Sequence, residues 1–361
     1  MILSTALILD VDTGIDDSLA LLYAAASPGV ELVGVTCVSG NADARQVAAN
    51  TLGVLALAWR TDVEVAIGRE VPLVRALETT PETHGPLGIG YADLAAAARP
   101  VSERHGVDLI VETARQRPGE IDLIMLGPLT NLAVALEREP SLPRLLRGVT
   151  IMGGAFGVPG NTTPTTEWNI HCDPDAARAV FRAWAAAVSV EAGVTLPLVM
   201  ALDVTERVRL LPEHVVRLAR RAGSTPDDSI ALQHDEDPMI ATRSVASDPI
   251  VRFLADALRW YMEFHARYDG FYGAFIHDPL AVAAALDRSL VTTEALYVDV
   301  ETTGELTTGM TVADRRRSTG RPPNADVAIT ADADAFLELL IERIGGLASG
   351  RSTADHSIVT G

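Results

Sequence analysis

At 361 residues, 48% of them apolar, the chain is long enough to bury a full α/β core and too hydrophobic to be disordered. Its formal net charge of −19 argues against a nucleic-acid surface and against an anionic membrane as partner. It contains no lysine, which excludes a Schiff-base lysine, a pyridoxal phosphate enzyme and a P-loop.

The first element is a buried strand over Ala6 to Leu9, followed by Asp10, Asp12, Asp16 and Asp17 around Gly14, then a helix over 18–26. Four carboxylates where a buried strand meets a helix raise one another's pKa, a conflict that a hard divalent cation resolves. A helix cap needs one aspartate rather than four. ELVGVTCVS (31–39) predicts a second strand, Gly40-Asn41 its exit, and 43–59 a helix. VEVAIG (63–68) is a third strand, and a loop rich in Pro, Thr and Gly follows, carrying THGPLGIG at 83–90. Residues 108–116 read as a helix, IDLIML (121–126) as a strand, GPLTNLAVALER as a turn running into a helix, and VTIMGGAF (149–156) as a strand. This alternation predicts an α/β fold, an open, mostly parallel Rossmann-like sheet with helices on both faces. Its ligand crevice lies beyond the carboxyl ends of the strands, where Asp12, Asn41, Leu126 and Met152 converge.

The second half predicts helical additions: 174–188, 213–222, 249–268 and a closing helix over 332–344. An acidic surface insertion spans about 222–248, 296–314 alternates like a hairpin, and 315–324 is a basic loop. No internal repeat is visible. One domain over 1–346 and a polar, frayed tail over 347–361 are expected, with fraying from Gly345. Two cysteines, Cys37 and Cys172, imply no disulfide framework. With no signal-peptide pattern and no long apolar stretch, the expected location is the cytoplasm.

Further along, FIHDPLAVAAAL supplies His277 and Asp278. Asp-Pro alone only marks helix starts, since Asp173-Pro174, Asp237-Pro238 and Asp248-Pro249 repeat it; His277 before it is the informative residue. Asn161, Glu167, Trp168 and Asn169 occupy a loop suited to a polyhydroxylated ligand, and equally to an ordinary turn. Tyr268, Phe271 and Tyr272 can stack on a flat ring or pack in the core.

In this order, DVDTGIDD (10–17), SGN (39–41), LGPLTN (126–131), MGGAF with GN and EWN (152–169), and HDP (277–279) resemble the nucleoside hydrolases, the inosine-uridine-preferring N-glycosidases. The resemblance covers almost the whole chain. It implies calcium-dependent hydrolysis of ribonucleosides to free base and ribose. Asp12, Asp17, the Leu126 carbonyl and Asp278 match the calcium ligands, and Asp12 also matches the general base that activates the metal-held water. Asp16, Asn41, Asn161, Glu167 and Asn169 match the residues gripping the ribose, with Met152 in the same pocket. His277 matches an acid or base-contacting histidine, and His84 a histidine at the pocket mouth. Histidines at these two places are similar to the branch accepting purine and pyrimidine nucleosides, and a homodimer or homotetramer is implied. Thr13 stands where the family usually has proline, and an arginine sometimes found beside the base has no counterpart. A haloacid dehalogenase-like phosphatase also opens with Asp-x-Asp, but needs a threonine where Gly14 stands and a lysine that is absent. A non-catalytic calcium- and nucleoside-binding protein of the same fold is the remaining alternative.

Overall fold

The computed structural model describes residues 4–190, 193–225 and 243–350. The first apolar run forms β1 (Thr5–Val11), and α1 (Ile15–Ala26) starts immediately after Gly14. β2 (Val30–Cys37), α2 (Ala44–Leu57) and β3 (Glu64–Ile67) follow, then a one-turn helix α3 (Pro81–His84) inside the long loop. α4 (Gly106–Gln116), β4 (Ile121–Met125), α5 (Thr130–Arg138), α6 (Leu142–Leu145) and β5 (Gly148–Met152) complete the first half. The strand predicted to reach 156 stops at Met152, because Gly154 adopts a left-handed φ of 87° that ends strand pairing.

The second half begins with α7 (Trp168–Cys172) and α8 (Pro174–Val190), then β6 (Leu198–Met200), α9 (Leu202–Thr205), β7 (Arg209–Leu210) and α10 (Pro212–Ala222). α11 (Pro249–Tyr268) matches its predicted span, capped by Asp248, whose side chain accepts from the Val251 N–H. β8 (Ala274–Phe275) leads into α12 (Asp278–Leu286). β9 (Val291–Leu296), β10 (Val298–Val300), β11 (Thr311–Ala313), β12 (Ala325–Ala331) and α13 (Ala333–Ala348) close the chain. The predicted hairpin is the antiparallel pair β10 and β11, but Leu296 belongs to β9 in the main sheet. α13 does not fray at Gly345: it runs to Ala348, with Leu347 and Ala348 buried, because Leu340, Ile344 and Leu347 continue one apolar face. Most of the acidic insertion and the tail beyond 350 lie outside the described residues.

The main sheet has eight strands in the order β3-β2-β1-β4-β5-β6-β12-β9, parallel except for β9 at one edge. Alternate residues of β1 feed two apolar layers: Leu7, Leu9 and Val11 pack with α1 and α11–α13, whereas Ala6 and Ile8 pack with α4, α5 and α8. The chain order reverses between β1 and β4, so the crevice at that switch point opens between Asp12 and Leu126. Among the described residues no helix is long and apolar enough to cross a membrane.

Phe336 on α13 is fully buried and meets Tyr23 of α1 edge-on, ring centroids 6.0 Å apart. Phe336→Ala is expected to cost about 3–5 kcal/mol in urea unfolding. A cost below about 1 kcal/mol would mean that α13 does not clamp α1 as described.

Candidate active site

A cleft of about 600 Å³ lies at the carboxyl ends of β1, β4 and β5. Asp12, Asp16, Asn41, His84, Leu126, Met152, Asn161, Glu167, Asn169, His277 and Asp278 all line it. Asp17 does not line it; it is fully buried just beneath.

The local chain path follows from close packing. A Cβ on Gly14 would fall 2.6 Å from Asn41 Nδ2 and 2.7 Å from His84 Nδ1, and one on Gly40 would fall 2.2 Å from Asp12 Oδ2. Only glycine lets the two loops close around the carboxylates. Asp17 Oδ1 accepts the Asp12 N–H at 3.2 Å and its Oδ2 the Gly14 N–H at 2.9 Å, fixing the start of α1. Asp12 Oδ2 accepts the Asn41 N–H at 2.8 Å, tying β1 to the β2 exit.

Ligand oxygens of Asp16, Asp17 and Asp278 lie within 4.8 Å of one another, all buried. Burial raises all three, and Asp12 with them; Asp16 reaches about 8, with the Asp17 charge adding to the rise. For Asp278 the other three carboxylates add to the effect of burial. Asn41 lines the cleft and donates from Nδ2 to Asp17 Oδ2 at 3.4 Å, while its buried Oδ1 has no hydrogen-bond partner among the described residues. Clustered buried carboxylates beside an unsatisfied amide oxygen form an all-oxygen donor set of the kind hard divalent cations take. The sequence grouped Asp12 with Asp17 and Asp278; the structure brings Asp16 into the closest triad and sets Asp12 beside it.

Asp10 stands apart from this group. Its Oδ2 accepts from Thr36 Oγ1 and from Asn131 Nδ2 (2.7 Å), binding β1 to β2 and α5, and desolvation pushes it to about 7. The expectation of four metal-facing carboxylates around Gly14 is corrected: Asp10 lies within the strand and faces the sheet interior.

On the opposite wall, Asn169 Nδ2 donates to the Leu126 carbonyl at 2.6 Å and to the Met152 carbonyl at 3.2 Å. The Leu126 carbonyl, just beyond β4, is thus held by a side chain. Glu167 caps α7, accepting from Asn169 N (2.8 Å), Ile170 N (3.1 Å) and Gly154 N (2.9 Å). Asn161 Oδ1 accepts the Trp168 N–H at 3.0 Å and so closes this loop.

Two predicted histidines flank the cleft. His84 is buried rather than at the mouth, its Nδ1 accepting the Ile15 N–H at 3.1 Å. The His277 Nδ1 lies 2.8 Å from Thr205 Oγ1 on α9. Burial drives both down to about 3, so each is a neutral imidazole. Of the three aromatics, Tyr268 lines the cleft at 61% exposure, Phe271 stacks on His265 at 5.6 Å, and Tyr272 lies outside the cleft.

Sequence reading missed His265, Glu206 and Asp269, which also line the cleft. The signal for His265 and Asp269 was a histidine and an aspartate four residues apart at the end of a helix, the aspartate eight residues before His277.

A doubly wound sheet with a carboxylate-lined crevice at its switch point defines an α/β protein built to bind a small polar ligand. The sequence profile described as "Inosine-uridine preferring nucleoside hydrolase" matches residues 7–338. A "Pyrimidine-specific ribonucleoside hydrolase RihA" of Enterobacter sp. (strain 638) is 36% identical over 94% of this chain and 97% of its own length. Among solved structures, a "Purine-Preferring Ribonucleoside Hydrolase from Gardnerella vaginalis" is 30% identical, covers 95% of this chain and 99% of its own, and superposes with a TM-score of 0.82. A "Plant nucleoside hydrolase - PpNRh1 enzyme" is 28% identical, covers 94% of this chain and 99% of its own, and reaches a TM-score of 0.81. The chain belongs to the inosine-uridine preferring nucleoside hydrolase family and is an N-glycosidase, as its motif order implied.

Proposed function

We propose that this protein hydrolyses the N-glycosidic bond of ribonucleosides, releasing free base and ribose, with calcium held by Asp12, Asp17, Asp278 and the Leu126 carbonyl. The observation that carries this reading is the buried carboxylate cluster of Asp16, Asp17 and Asp278 at the floor of the cleft. When bound, calcium supplies the positive charge that offsets these carboxylates and polarises water and sugar hydroxyls.

The chain's own groups divide the remaining work. Asp12, with one oxygen on the Asn41 N–H, takes the proton of the attacking water on the other. Asp16, Asn41, Asn161, Glu167 and Asn169 hold or shape the ribose subsite, and Met152 packs beside it. Bond cleavage develops positive charge on the ribosyl ring, which these carboxylates and amide oxygens favour over the uncharged ground state. His277 and His84, neutral in the cleft, hydrogen-bond the base. The relatives' printed preferences differ, pyrimidine-specific in one and purine-preferring in another. Acceptance of both classes fits a cleft whose base end is lined by histidines and aromatic rings. A homodimer or homotetramer in a reducing cytoplasm completes the reading, in keeping with the two free, buried cysteines.

The test is a reducing-sugar assay on ribonucleosides and their 2′-deoxy counterparts. Ribonucleosides are expected to release sugar, with kcat/KM falling about 100-fold or more for the deoxy series, since buried polar groups would lose their partner. Equal rates on both series would refute the ribose-gripping roles. No release from any ribonucleoside would leave the non-catalytic binding alternative.

A further inference from the structure

Among the described residues three histidines line the cleft, and they differ in what holds the ring. His84 Nδ1 meets a backbone N–H and His277 Nδ1 a threonine hydroxyl, whereas His265 Nδ1 lies 2.7 Å from Asp269 Oδ2. His265 is 4% exposed, and its Nε2 is buried without a hydrogen-bond partner among the described residues. An unsatisfied buried ring nitrogen is destabilising, a cost removed by a polar partner. Around it stand the rings of Tyr261 (4.6 Å), Phe275 (5.0 Å), Phe264 (5.3 Å) and Phe271 (5.6 Å), and the residue lines the cleft, where a ligand can supply that partner. A carboxylate behind one ring nitrogen fixes the ring's orientation and leaves the other nitrogen for proton transfer. The flat rings beside it suit a nucleobase.

We propose that His265 is a catalytic residue, the proton donor to the departing base, with Asp269 as its positioning residue. This rests on the nucleoside-hydrolase reading and deepens it. As the C1′–N bond breaks, its electron pair goes to the base and the His265 Nε2 proton is delivered to a base nitrogen. Water adds to C1′ and loses its proton to Asp12. The imidazole is reprotonated from solvent and the Asp12 proton returns to solvent, so one water is consumed for each base and ribose formed.

The test compares inosine and uridine with 4-nitrophenyl β-D-ribofuranoside, whose phenolate leaves without protonation. His265→Gln is expected to lower kcat on the nucleosides by about 100-fold or more, within the range general acids contribute, and by less than about tenfold on the nitrophenyl riboside. Asp269→Asn, at a half-exposed position, is expected to show the same split more weakly, with KM little changed. Equal losses on both substrate types, or less than about threefold loss on nucleosides, would overturn the assignment while leaving the hydrolase reading intact. Wild-type protein inactive on nucleosides and riboside alike would overturn both.

Discussion

Replacing Asp12 by asparagine is expected to lower kcat on ribonucleosides by about 10³-fold or more, with KM changed far less. Asp12 sits at the end of β1 with one oxygen committed to the Asn41 N–H, an arrangement that asparagine's oxygen can keep. The loop is therefore expected to hold its shape while the proton acceptor and one anionic metal ligand disappear together. General-base catalysis alone contributes about 10²- to 10⁴-fold, and the lost ligand adds to that. A fall in kcat/KM carried by kcat marks an interaction made in the transition state. Steady-state kinetics of Asp12→Asn beside wild type decide the matter. A variant within about tenfold of wild type would remove Asp12 from the chemistry.

The second large effect concerns calcium and Asp17. Four carboxylates are buried within one cluster, and their mutual repulsion weakens the native state whenever they are ionised without a cation. Calcium at about 100 times its Kd should add about 2.7 kcal/mol to stability, a rise of roughly 3–4 °C in Tm for a chain of 361 residues. Asp17→Asn keeps one oxygen for the two N–H groups, of Asp12 and Gly14, that Asp17 accepts with separate oxygens at the start of α1, and removes a full negative charge from the donor set. Calcium is then expected to bind at least about 100-fold more weakly, so the calcium-induced rise in Tm is lost. Differential scanning calorimetry of both proteins with and without calcium reads this directly. An undiminished rise in Asp17→Asn would place the ion elsewhere.

Much of the sheet was legible because its first half obeys local rules. Short apolar runs ending in Gly or Asp, each followed by a period near 3.6, specify a strand feeding a helix, and the run from Ala6 to Leu9 does this without ambiguity. β6 and β12 were not legible: Leu198–Met200 is three residues long, and Ala325–Ala331 carries only Val327 and Ile329 as large apolar residues among small and polar ones. β6 becomes a strand between β5 and β12, and β12 between β6 and β9, a long-range effect that a local pattern does not carry.

The site divides in the same way. Asp12, Asn41, Leu126, Met152 and His277 were readable because parallel strands deliver their carboxyl ends to one rim. Asp10, two residues earlier, looked the same in sequence, and only its bonds to Thr36 and Asn131 separate it from the cluster. His265 was hidden by the apolar periodicity of α11, where a histidine among aromatics reads as core. Its orphan Nε2 appears only once the cleft exists.

The measurement that bears most directly on the proposed activity is ribose release from inosine and uridine by protein stripped of divalent ions and returned stepwise to calcium. No ribose after stripping, and saturable recovery with calcium, is the expected result. Full activity in excess chelator, or none at any calcium concentration in protein that demonstrably binds the ion, would contradict a calcium-dependent ribonucleoside hydrolase.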